Sequence, residues 1–200
     1  MQDKELLTHL EEDYLKELIN ISFGLAASII GDMLGAKAEL MIPRVGIYPI
    51  TKLHSVVESH IEQDSDTMLI KQFFQSILNG DAYFMLSHED AKKLAKLLFK
   101  KESVDEKEIE CVAIEITNIL TSACIGQMAQ MSNARTIFLP PEIIKHERLL
   151  SLGSDELKNF TQFMLVETKL SLESEGISGQ MLILIGEGVL GIILSGMPKQ

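Results

Sequence analysis

Two carboxylate–amide pairs stand in this sequence at identical spacing. They are Glu17 with Asn20 and Glu115 with Asn118. In each copy 22 residues separate the Asn from a proline, Pro43 or Pro141, and all three positions recur after 98 residues. Asp13 lies four residues before the first Glu, and Cys111 takes that place in the second copy. A carboxylate supplies charge, while an amide supplies a donor and an acceptor without titrating near neutral pH. Asn therefore cannot be a general base, but its carbonyl can accept a hydrogen bond from water. The chemistry open to such pairs is positioning and electrostatics. A repeat that keeps them in register implies a duplicated site.

The segments carrying the pairs read as long amphipathic helices. At about 100° per residue, Asp13, Asn20, Gly24, Ser28 and Gly31 gather within roughly 60° of Glu17. Leu15, Leu18, Ile19, Ser22, Leu25, Ala26, Ile29, Ile30 and Met33 cover the opposite arc and form the expected packed side. In the second copy Cys111, Glu115, Asn118, Ser122, Gly126 and Ala129 make the stripe. Ala113, Ile116, Leu120, Cys124, Met128 and Met131 lie across from it. Each pair thus projects outward in a lane of small residues, which lets another backbone approach closely. A solvated face has no reason to avoid long charged side chains for three turns, so the lane reads as a contact surface.

The helix ends match as well. Thr8-x-x-Glu11 and Ser103-x-x-Glu106 both have the form of a capping box. Gly35 and Asn133 are types that tolerate the left-handed conformation ending a helix. An apolar run follows each and reads as a strand, whose pairing Pro43 and Pro141 are expected to stop.

Composition narrows the function classes. With 200 residues, 46% of them hydrophobic, the chain can bury a sizeable core. A net charge of -11 with no basic run argues against nucleic acid and against an anionic membrane surface as partners. The amino-terminal residues Asp3, Glu5, Glu11 and Glu12 do not form a signal peptide. The apolar stretch from Gly179 to Met197 is interrupted by Gly186-Glu187-Gly188. It reads as a hairpin between strands Met181–Ile185 and Val189–Leu194, with no membrane span. Cys111 and Cys124 point about 140° apart on one helix and lie about 20 Å apart along it, so they cannot bridge. The chain is expected to be reduced and cytoplasmic.

Other chemistry is thin. The five histidines lack metal-ligand spacing, with His54 and His60 at most sharing a strand face. No phosphate-binding glycine loop, nucleophile elbow or dinucleotide fingerprint occurs. No cofactor or metal of the chain's own is expected. Thr67–Gln75 and Ala82–Leu86 read as strands joined by the turn Leu78-Asn79-Gly80-Asp81. Ser87 caps a helix reaching about Lys100. Gln162–Leu172 alternates as a strand buried on one face. Lys100–Asp105 joins two halves, 1–100 and 101–200, of one domain spanning 1–200. The fold class is α+β: a pseudo-twofold duplicated domain, a largely antiparallel sheet covered by the two long motif-bearing helices.

Asp13-x3-Glu17-x2-Asn20 with Pro43, repeated as Glu115-x2-Asn118 with Pro141, resembles the signature of the CheC/CheX/FliY family of chemotaxis phosphatases. Two complete pairs look most like CheC, and Cys111 stands where Asp or Ser is usual. The resemblance implies hydrolysis of the aspartyl phosphate of a CheY-type response regulator, with Mg²⁺ held by that partner, and CheD as a further partner. Asn20 and Asn118 would orient the attacking water, and Glu17 and Glu115 would anchor the regulator through its active-site lysine. Asp13, Gly24, Ser28, Pro43, Cys111, Ser122, Gly126 and Pro141 would form the partner-binding surface. The alternative is a noncatalytic module whose helices dock a response regulator, a flagellar switch component or CheD.

Overall fold

The computed structural model describes residues 7–60, 66–75, 79–131, 133–172, 175–186 and 188–197. Thr8 opens helix α1 (His9–Leu34) with the expected capping box: its Oγ1 accepts the Glu11 N–H, and the Glu11 carboxylate accepts the Thr8 N–H at 2.7 Å. Gly35, at φ +66°, ends the helix in the left-handed conformation that a residue without Cβ adopts without strain. Strand β1 (Ala38–Pro49), a single 3-10 turn and helix α2 (Leu53–His60) follow. Strands β2 (Thr67–Gln75) and β3 (Gly80–Ser87) then pair antiparallel and lead into α3 (His88–Phe99), which Ser87 caps.

The rest of the chain begins with α4 (Glu106–Met131) and the short strands β4 (Ile137–Phe138) and β5 (Glu142–Ile144). Two short helices, α5 (His146–Leu150) and α6 (Ser154–Leu157), precede the long strands β6 (Phe160–Leu172) and β7 (Glu175–Gly186). Helix α7 (Val189–Leu194) completes the described chain.

All seven strands form one antiparallel sheet in the order β1-β6-β7-β3-β2-β4, with β5 also on β2. The early strand β1 pairs with the late strand β6, and β4 and β5 return to pair with β2. The fold is α+β, and its main core lies between one sheet face and the helices α1, α3 and α4. Leu15, Ile19, Phe23 and Ile30 of α1 meet Val112, Ile116, Leu120 and Ile125 of α4 and Ile70, Phe84, Val166 and Met181 of the sheet in that core. Both α1 and α4 are apolar and long enough to cross a membrane by composition, and the buried stripe of each, Leu15 to Ile30 in α1 and Val112 to Ile125 in α4, lies in this core.

Several elements differ from expectation. Pro43 does not end β1: lacking an N–H, it falls in a register shift between Met41 and Arg44, after which pairing with β6 resumes. Pro140 and Pro141 do separate β4 from β5. Val189–Leu194 is helical, so no hairpin forms there; the turn's Glu187 lies outside the described residues. His54 sits on α2, which also spans His60, and neither belongs to a strand. Phe163 through Val166 are buried on both faces of β6, because Leu53 and Val57 of α2 and Leu149 of α5 cover the far face with a second apolar cluster.

The cap of α4 also moves. Asp105, not Ser103, accepts the Glu108 N–H at 3.0 Å, and the Glu108 carboxylate accepts the Asp105 N–H at 3.0 Å. The Asp105 carbonyl takes the first helical bond, from Ile109. The Asp carboxylate accepts the helix N–H and also carries a negative charge at the positive helix end, which a Ser hydroxyl does not. Asp105→Ala is expected to lower the unfolding free energy by about 1 kcal/mol, and Ser103→Ala by no more than a few tenths, in urea titrations.

Candidate functional site

The packing of α1 decides where its polar residues point. Leu15, Leu18, Ile19, Ser22, Phe23, Ala26 and Ile30 are buried, which leaves Asp13, Glu17, Asn20, Gly24 and Ser28 exposed in one lane. Two residues assigned to the packed arc are not there: Leu25 is 58% exposed and Ile29 51%. With Ile21 they form an i, i+4, i+8 apolar ridge beside Asn20 and Gly24. The helix presents a narrower stripe to the sheet than its composition allows. Gly31 has a reason internal to the chain: a Cβ there would come within 2.8 Å of the Ala36 carbonyl where the chain turns into β1. At Gly24 and Gly126 a Cβ would meet nothing within 4 Å, so the chain's own packing does not require either glycine.

The second lane sinks into the protein. Cys111 and Glu115 are exposed, Asn118, Ser122 and Gly126 are half-buried, and Ala129 is buried. Glu115, Asn118 and Pro141 line one open groove with Ile114, Phe138, Leu139 and Pro140. The structure therefore brings three of the second-copy residues together. In the first copy, Glu17 and Asn20 share the α1 surface, and Pro43 follows on β1, which packs against α1.

Sequence reasoning missed one residue of the second groove. Gln72 of β2 is 1% exposed, and its Nε2 donates to Asn118 Oδ1 at 2.9 Å and to the Leu139 carbonyl at 3.0 Å. The signal was available, since Gln72 shares strand parity with the apolar Met68, Ile70 and Phe74. A polar side chain on the packed face of a strand needs a partner, and that partner is usually informative. Asn20 has no side-chain hydrogen bond among the described residues. Among the described residues, too, no group of three or more His, Cys, Asp or Glu is placed to hold a metal ion.

With this geometry in place, the comparison with solved structures is decisive for the fold. FliY of Thermotoga maritima superposes with a TM-score of 0.72 over 96% of this chain and 97% of that one, at 17% identity. This is the CheC/CheX/FliY fold. The FliG–FliM complex of H. pylori matches at TM-score 0.63 and 9% identity, covering 94% of this chain and 100% of that one. The CheX–CheY–BeF3–Mg²⁺ complex of Borrelia burgdorferi matches at TM-score 0.55 and 15% identity, over 86% of this chain and 99% of that one. No protein-family model matches the sequence.

Both cysteines are free. Cys124 is fully buried in the core, and burial pushes its thiol up to about 12, leaving almost no thiolate at neutral pH. Cys111 is exposed on the lane. Alkylation of the folded protein at pH 7.5 is expected to label Cys111 alone, by intact-mass analysis. A second label under native conditions would show that the α4 packing opens.

Proposed function

We propose that the chain accelerates hydrolysis of the aspartyl phosphate on a CheY-type response regulator, acting in the cytoplasm within chemotaxis signalling. The observation that carries this reading is the exposed Glu17–Asn20 pair, held on a helix face that its own fold leaves unpacked. The CheX–CheY complex of the same fold contains BeF3, a stand-in for the phosphoryl group, and Mg²⁺. That supports a regulator as the partner and as the holder of the metal.

In this reading the regulator supplies its own Mg²⁺ and lysine, so the helix adds positioning. Glu17 pairs with the regulator's lysine and holds α1 against its active-site loops. Asn20 then reaches the phosphoryl group, and its carbonyl accepts a hydrogen bond from water and holds that water in line with phosphorus. Gly24 and Ser28 keep the surface low, and Asp13 extends the contact toward the amino end of α1. Ile21, Leu25 and Ile29 give the docked regulator an apolar edge to bury. Cys111, Ser122, Gly126 and Pro141 would line the corresponding contact around Glu115 and Asn118, and Pro43 borders the first. One domain built from two such halves accounts for the 98-residue repeat.

The FliG–FliM complex of this fold supports a second reading, docking of a switch component without catalysis. Phosphate release from a phosphorylated regulator with Mg²⁺ separates the two readings. The first requires a rate above the regulator's own; binding with no gain in rate favours the second.

Within the first reading, Asn20→Ala is expected to lower kcat by roughly tenfold or more with a small change in KM, and Glu17→Ala to act mainly on KM. Gly24→Gln tests the lane differently. It raises helix propensity at an exposed position, by about 0.5–1 kcal/mol in denaturant unfolding. It is nevertheless expected to raise KM several-fold, because a long side chain stands where the regulator must approach. An unchanged KM would remove the lane from the contact.

A further inference from the structure

The orientation of the Gln72 amide follows from its neighbours. A backbone carbonyl only accepts, so the group facing the Leu139 carbonyl is the Gln72 nitrogen. The same nitrogen faces Asn118, so the Asn118 atom that meets it is the oxygen. Turning Gln72 over would set its oxygen against the Leu139 carbonyl. Meanwhile Gln72 Oε1 is buried with no hydrogen-bond partner among the described residues, so the fold tolerates an orphan acceptor to keep both donations. Asn118 thus turns its carbonyl inward, and the branch left for the groove is Nδ2, which only donates.

The opposite edge of the sheet lacks this clamp. There Met41 of β1 pairs with Lys169 of β6, as Leu139 bonds Phe73 on this edge. The residues one step before, Thr168 and Gln72, therefore hold matching register positions on β6 and β2, and both are buried. Thr168 has the shorter side chain, and its hydroxyl donates to the Gly179 carbonyl at 2.9 Å. Among the described residues nothing holds the Asn20 amide, which can turn its oxygen to a water.

We propose that Gln72 divides the work between the two sites. It holds Asn118 with the amide NH2 toward the groove, so the second site grips an acceptor oxygen of the phosphorylated regulator. Orienting the attacking water then falls to Asn20. This rests on the phosphatase reading. Gln72 acts through Asn118 and is a positioning residue.

The test combines kinetics and amide exchange. Asn118→Ala is expected to raise KM with kcat within about twofold. In an Asn20→Ala background, Gln72→Met removes both donations at similar volume and frees the Asn118 oxygen. The double variant is expected to turn over roughly threefold or more faster than Asn20→Ala alone. A folded double variant no faster than Asn20→Ala would overturn the proposal. In the native protein, NMR should show slow hydrogen exchange for the Gln72 side-chain amide and fast exchange for that of Asn118. The reverse pattern overturns the clamp whether or not the double variant folds. A wild-type protein that leaves the regulator's hydrolysis unchanged would instead defeat the phosphatase reading, while amide exchange still reports on the clamp.

Discussion

Two helices of 26 residues each must bury an apolar stripe on the same face of one sheet, and the Glu–Asn pairs of the candidate site take their direction from that constraint. Burial of apolar surface at about 25 cal/mol per Å² makes the stripe's orientation the dominant choice for each helix. With Ile19, Phe23 and Ile30 committed to the sheet, Glu17, Asn20 and Gly24 have no direction left but outward. The strand order reinforces this. Because β1 pairs with β6 and β4 and β5 with β2, shifting either helix would drag a strand bonded to the other end of the chain. The lane is therefore held by packing that it does not itself join, which leaves its residues free to be chosen for a partner.

Much of this was legible in the sequence, because local chemistry dominates where it was read correctly. The Thr8–Glu11 box, the left-handed Gly35 and Asn133, the β2–β3 pair and the Ser87 cap each depend on residues a few positions apart. What was missed depends on distant neighbours. Periodicity placed Leu25 and Ile29 in the core, but the sheet covers only part of that arc. Ser103 and Asp105 both satisfy a cap pattern with a Glu three residues on, and spacing alone does not rank them. The apolar run Val189–Leu194 suits a buried strand or a buried helix equally, and Gly188 at φ +77° opens a helix. No local rule reports that Gln72 reaches Asn118, 46 residues away in sequence.

The two Glu–Asn pairs look equal in sequence and are unequal in structure. Asn20 is exposed with no side-chain hydrogen bond among the described residues, while Asn118 is half-buried and bonded to the strand beneath it. In the proposed phosphatase reading an amide holds a water in line with phosphorus by geometry, and its use depends on which of its two polar atoms is free. The same side chain with its oxygen engaged is a hydrogen-bond donor and suits a different task. Site identity therefore depends on the sheet as much as on the helix that carries the motif.

The account stands or falls on whether these amides accelerate dephosphorylation. The direct measurement is phosphate release from a phosphorylated CheY-type regulator with Mg²⁺, comparing the wild-type chain with the Asn20→Ala and Asn118→Ala double variant. Circular dichroism and thermal unfolding would show both to be folded. The account predicts acceleration by the wild type and a return to the regulator's own rate in the double variant. A folded double variant that still works at the wild-type rate would contradict it.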